Sequence, residues 1–171
     1  MPDSNFPQAF AKKRMKESPE RELIRKTFTV REMDLPPSVL MTKKGMARWF
    51  ALSFGLISEK ESRDTILEIL DLLFSINFSK KRGAEAEEIY SELKKKGIKA
   101  SDKLVRYHLK NMADLGLLEK KGRKYFFCSP TEGEKDDVKK GFEEKVVRKI
   151  DESALRISNV LGKIAESYGK K

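Results

Sequence analysis

The chain reads as mainly α with a small β-hairpin, and three observations carry that reading. Apolar residues recur at three- and four-residue steps along most of the length. Caps and glycine stops stand where those runs begin and end. One short stretch, 117–128, breaks the pattern and folds around a glycine turn. The 171 residues suit one ordinary domain with extensions, and at 39% hydrophobic and 37% charged the core is modest while much of the length lies on solvated helix faces.

Residues 1–36 form a polar, basic N-terminal extension, in which Ser18-Pro19-Glu20 offers an N-cap and a first-turn proline for a short helix to about Phe28. Pro36-Pro37 punctuates the chain. Residues 37–60 form an N-terminal helical segment: from Ser38 to Ile57, Val39, Leu40, Met46, Trp49, Phe50, Phe54 and Ile57 share one face of a helix interrupted or bent near Gly45. Trp49 and Phe50 belong to the core, to a dimer interface or to an effector pocket.

Residues 61–128 form the next unit. Glu61 to Ile76 carries a broad apolar stripe of Ile66, Leu67, Ile69, Leu70, Leu72, Leu73 and Ile76, which suits a helix buried on more than one side. After a polar, basic loop at Ser79–Gly83, a second helix runs from Ala84 to about Lys96. It has acids in its first turns, lysines in its last and Gly97 as its stop. Ser101 caps a third helix from Asp102 to about Leu115, with Val105, Leu109 and Met112 inward and Gly116 at its end. Leu117–Lys120 and Lys124–Cys128 are two strands joined at Lys121-Gly122-Arg123.

Residues 129–171 return to helix. From Val147 the apolar positions Ile150, Ala154, Ile157, Leu161, Ile164 and Tyr168 continue the spacing of a coiled-coil seam, which predicts a dimerisation helix; the alternative is that it folds back on residues 38–57.

Two helices joined by a four-residue turn and followed by a basic hairpin are the elements of a winged helix-turn-helix with N- and C-terminal helical extensions. The stretch from Val105-Arg106-Tyr107-His108-Leu109-Lys110 through Leu115-Gly116-Leu117-Leu118 to Lys120-Lys121-Gly122-Arg123-Lys124-Tyr125 resembles the recognition helix and wing of ArsR-like and related prokaryotic and archaeal transcription regulators. The resemblance covers roughly residues 62–128. It implies regulation of transcription through double-stranded DNA, but the metal-sensing cysteines of ArsR-type proteins are absent.

The charge agrees with a polyanionic partner. Lys plus Arg is 37 against 27 Asp plus Glu, a net +10. Half of that surplus falls between Lys99 and Lys124, where eight basic residues face three acids. With the apolar face of the third helix buried, Ser101, Asp102, Lys103, Arg106, Tyr107 and Lys110 present themselves to a major groove. Arg106 and Tyr107 are placed to read bases, and Lys103 and Lys110 to hold phosphates. Lys120, Lys121, Arg123 and Lys124 at the hairpin reach flanking DNA. Tyr107 has packing on the domain's first helix as its alternative, and His108 and Cys128 are expected to be structural. Among Tyr125, Phe126 and Phe127 the middle ring faces opposite to its neighbours.

Other classes lose ground. The longest nearly uncharged stretch, Trp49 to Ser58, is about half of the roughly 20 residues a membrane span needs, and no secretory signal is expected from the charged N-terminus. A single cysteine excludes an intramolecular disulfide, no metal or cofactor is expected with one histidine, and no phosphate-binding loop or catalytic pairing suggests an enzyme. A reducing cytoplasm follows from the same cysteine count. Abundant Lys and Glu beside a lone Gln8 match a heat-adapted organism. The sequence thus predicts a homodimeric, sequence-specific regulator on double-stranded DNA. The alternatives are an adaptor that binds the transcription or replication machinery, and an RNA-binding protein.

Overall fold

The computed structural model describes residues 23–58, 65–134 and 136–169. Seven α-helices and a three-stranded antiparallel sheet lie among them: α1 (Pro37–Leu40), α2 (Lys43–Ser53), α3 (Thr65–Phe74), β1 (Ala84–Glu85), α4 (Ala86–Lys95), α5 (Asp102–Asp114), β2 (Leu118–Lys121), β3 (Lys124–Phe127), α6 (Val138–Phe142) and α7 (Arg148–Gly169). A mainly helical fold with a small hairpin is what the sequence predicts.

The details differ in places. The start of the expected helix at Ser18 lies outside the described residues, and 24–28 are not helical. Of the two expectations for residues 38–57, interruption rather than a bend is found, just before Gly45. The chain breaks at Met41-Thr42 between α1 and α2, where the Thr42 hydroxyl accepts the Gly45 N–H at 2.9 Å and caps the second helix. α3 ends in a wide turn over Ser75–Ser79, with the Lys80 N–H reaching back to Ser75 O at 3.1 Å. A comparable wide turn, Glu143–Val147, joins α6 to α7.

Residues 84–85 are strand rather than helix. Ala84 pairs with Tyr125 and Glu85 with Lys124, so the sheet order is β1-β3-β2 with β3 in the centre. The hairpin turn sits at Gly122-Arg123, with Lys121 paired to Lys124 and Gly122 at φ +62°. That is the first central position of a two-residue turn, where a type II′ hairpin requires glycine.

One core joins the elements. Ile69, Leu70 and Leu73 of α3, Ile89 and Leu93 of α4, and Val105, Leu109 and Met112 of α5 are fully buried and meet Leu117, Leu118 and Tyr125 of the hairpin. Ala51, Phe54 and Ile57 from the N-terminal side and Val146 from the C-terminal side enter the same cluster. Fully burying a Leu or Ile is worth about 1.5–3 kcal/mol each, so these flanking residues contribute substantially to holding the domain. Phe74 stacks on Phe127 at a centroid separation of 5.0 Å, tying α3 to the central strand. Cys128 is buried, and desolvation pushes its thiol up to about 11, so it packs as a small apolar group.

α7 is different. None of its residues is buried, and from Ala154 to Gly169 every residue is exposed, so the helix does not fold back on residues 38–57.

Candidate nucleic-acid interface

α4 and α5 are the two helices of the helix-turn-helix, and the residues between them explain their geometry. Gly97 takes φ +74° and ends α4, and the Ile98 N–H then bonds to Leu93 O at 3.0 Å. The Ser101 hydroxyl accepts the Leu104 N–H at 3.1 Å and starts α5. Ser101 is therefore occupied as a cap. Burial of Val105, Leu109 and Met112 turns Lys103, Arg106, Tyr107 and Lys110 outward.

Tyr107 is 63% exposed, and its ring meets that of His108 edge-on at 5.4 Å between centroids, so it is not buried against the first helix of the domain. Lys103 and Lys110 make no ion pair with any described residue. They stand on the same exposed side of α5, seven residues apart, at about two helical turns.

Arg106 is held differently from the sequence expectation. Its Nε donates to Asp102 Oδ2 at 2.7 Å, one turn back, and its terminal nitrogen donates to Glu87 Oε1 at 2.6 Å, across on α4. The two carboxylates raise the guanidinium pKa further above its usual value, and the Arg106 hydrogen bond holds the Glu87 carboxyl below the usual carboxylate range. Asp102, expected to face DNA, instead orients Arg106. To contact a base, the guanidinium must exchange at least one of these acceptors.

The wing carries four further cations, on both faces of the hairpin. Lys120 lies over the Tyr125 ring at 5.6 Å and Lys121 over Phe126 at 5.5 Å, with Lys121 also 3.3 Å from Glu119. Arg123 at the hairpin turn is close enough to α4 to stabilise the Glu87 carboxylate. The charges of Arg106 and Arg123 both favour the Glu87 carboxylate. Tyr125 and Phe127 are buried and Phe126 points the other way, as the strand alternation predicts.

The base of the wing is fastened from behind. Glu119 accepts a short hydrogen bond from the Lys145 ammonium and another from the Ser129 N–H at 3.1 Å. Sequence reasoning misses both Glu87 and Glu119, since their partners lie 19 and 26 residues away. Among the described residues no three His, Cys, Asp or Glu side chains come together as a metal site, and no helix is long and apolar enough to cross a membrane.

Trp49 and Phe50 line an open apolar groove of about 750 Å³ between the N-terminal helices and α3, with Leu40, Met46, Phe74 and Phe78. The Trp49 Nε1–H donates to Asp34 O at 2.8 Å.

A helix, a short strand, the helix pair and a two-stranded wing returning to that strand define a winged-helix domain. Residues 67–127 match the family model of the ribonuclease R winged-helix domain. No curated protein and no solved structure matches the chain significantly.

Proposed function

We propose that the protein is a double-stranded DNA-binding transcriptional regulator that acts as a homodimer, with α5 in the major groove and the wing on flanking backbone. The observation that carries this reading is the exposed pair Lys103 and Lys110 flanking Tyr107 on α5, neither ion-paired to any described residue, with a cationic wing following in the chain. The lysines supply sequence-independent phosphate contacts, and Tyr107 and a released Arg106 supply the base-edge contacts that select a sequence. The role is binding, without catalysis, in a reducing cytoplasm. Self-association rests on the seam of α7, whose apolar residues no other described part of the chain covers.

A second reading is favoured by Arg106 itself. A guanidinium already satisfied by Asp102 and Glu87 suits a protein surface as well as DNA, and an adaptor role would use the same face on a protein of the transcription or replication machinery. The match to a ribonuclease's winged-helix domain gives RNA a place among the competitors.

A mobility-shift titration of the full chain against duplex DNA fragments at low ionic strength, with RNA as competitor, tests the assignment. Salt-sensitive duplex binding that resists RNA competition supports it. Absence of such binding, or displacement by equimolar RNA, overturns it.

A further inference from the structure

The free face of α7 specifies more than self-association. Val147, Ala154, Leu161 and Tyr168 form one row at seven-residue spacing, and Ile150, Ile157 and Ile164 form the other. Ile157 is 69% exposed, Leu161 65% and Tyr168 87%. Together with Val160 at 56% and Ile164 at 48% they leave an exposed apolar stripe along the helix. The covering partner is therefore a surface of matching length and apolarity, which a second copy of α7 provides.

Three features set the orientation. The root of the seam is already used, because Val146 is buried, Val147 is half-buried and Ile150 packs against the domain's own core. The positions beside the seam are Asp151, Ser158 and Ala165 on one side and Ser153, Val160 and Ser167 on the other, so the oppositely charged flanks that direct parallel pairing are missing. A parallel pair in register also sets Ala154 against Ala154 and leaves a gap, while holding two net-positive bodies at the same end.

Turning one helix around removes each problem. Ile157 then faces Leu161 of the second copy, the small Ala154 faces Ile164, and Tyr168 lies over the half-covered Ile150 at the other helix's root. The winged-helix bodies stand at opposite ends of a pair about 33 Å long. We propose that α7 pairs antiparallel with α7 of a second copy, resting on the self-association reading above and naming its geometry.

Cysteine cross-linking of the full-length protein tests the arrangement. In an antiparallel pair, positions beside the two-fold axis meet themselves, so Val160→Cys forms a disulfide-linked dimer on mild oxidation. Ala154→Cys alone does not, and Ala154→Cys mixed with Ile164→Cys does. The native Cys128 is buried and serves as the silent background. All these positions are exposed in the single chain, so the variants leave its core intact. Light scattering gives a dimer mass that falls twofold in Leu161→Asp. A dimer in which Ala154→Cys links to itself and Val160→Cys does not, or in which none of these links forms, overturns the orientation and leaves self-association standing. A monomer at tens of micromolar overturns both.

Discussion

Arg106 of α5 and Glu87 of α4 are joined by a 2.6 Å ion pair across the helix-turn-helix, and Asp102 closes the same guanidinium from the other side at 2.7 Å. The residue best suited to read a guanine is therefore partnered before any ligand arrives. The pair is exposed, so its effect on folding is small, and its consequence falls on binding. Replacing Glu87 by Gln removes one acceptor and one negative charge from the proposed interface. Duplex affinity is expected to rise several-fold at low salt, with the gain shrinking as salt is added. Fluorescence anisotropy across a salt series measures it, and unchanged or weakened binding contradicts the assignment of this face.

Lys103 and Lys110 have no such partner among the described residues. Lys103→Ala and Lys110→Ala are each expected to weaken binding about equally on all duplex sequences and to reduce the slope of log K against log salt by about 1. Tyr107→Ala is expected to change the preference among sequences instead. Equal salt slopes for wild type and both lysine variants would place the DNA elsewhere.

The spread of what sequence reasoning reaches follows from the range of each interaction. Ser101 is readable as a cap because its partner, the Leu104 N–H, is three residues away, and the α5 stripe is readable because its period is local. The two-residue strand Ala84–Glu85 has no alternation to detect and exists only because β3 offers it an edge. Arg106 reads as a free reader because Glu87 becomes its neighbour only after the helices cross. For α7 the spacing defines the apolar face without its occupant, and it does not show that Ile150 turns inward to its own domain while Ile157 stays bare.

Gly141 and Gly162 predict opposite outcomes for one substitution. A Cβ at Gly141 in α6 would collide with the Cys128 carbonyl oxygen and come within 2.7 Å of the Ser129 carbonyl carbon, both backbone atoms. Gly141→Ala is expected to cost roughly 1–3 kcal/mol. At Gly162 in α7 a Cβ meets nothing within 4 Å, so Gly162→Ala is expected to stabilise the helix by up to about 1 kcal/mol. Denaturant titrations of both variants check the pair.

Acid sensitivity is expected to centre on Glu119. Burial pushes its carboxyl up, but the Lys145 ammonium, the Ser129 N–H and Lys121 outweigh that and leave it below the usual range. A depressed carboxylate stabilises the fold above its unfolded value, near 4.3, and the contribution disappears as pH falls through the lower folded value. Glu119→Gln is expected to lose roughly 1–2 kcal/mol at pH 7 and to converge on wild type as pH falls below the lowered folded value. Thermal unfolding over that range is the measurement, and a constant difference at all pH values argues against the pairing.

β1 runs into α4 without an intervening residue, and β1 is itself bonded to β3 of the wing. The hairpin is thereby geared to the helix pair, because tilting β3 drags Ala84 and Glu85, which drag the first turn of α4 and with it Glu87. The wing strand and the helix that carries Glu87 thus share one continuous backbone connection through Ala84 and Glu85. On the proposed DNA-binding reading, a contact made at Arg123 therefore bears on the carboxylate that restrains Arg106.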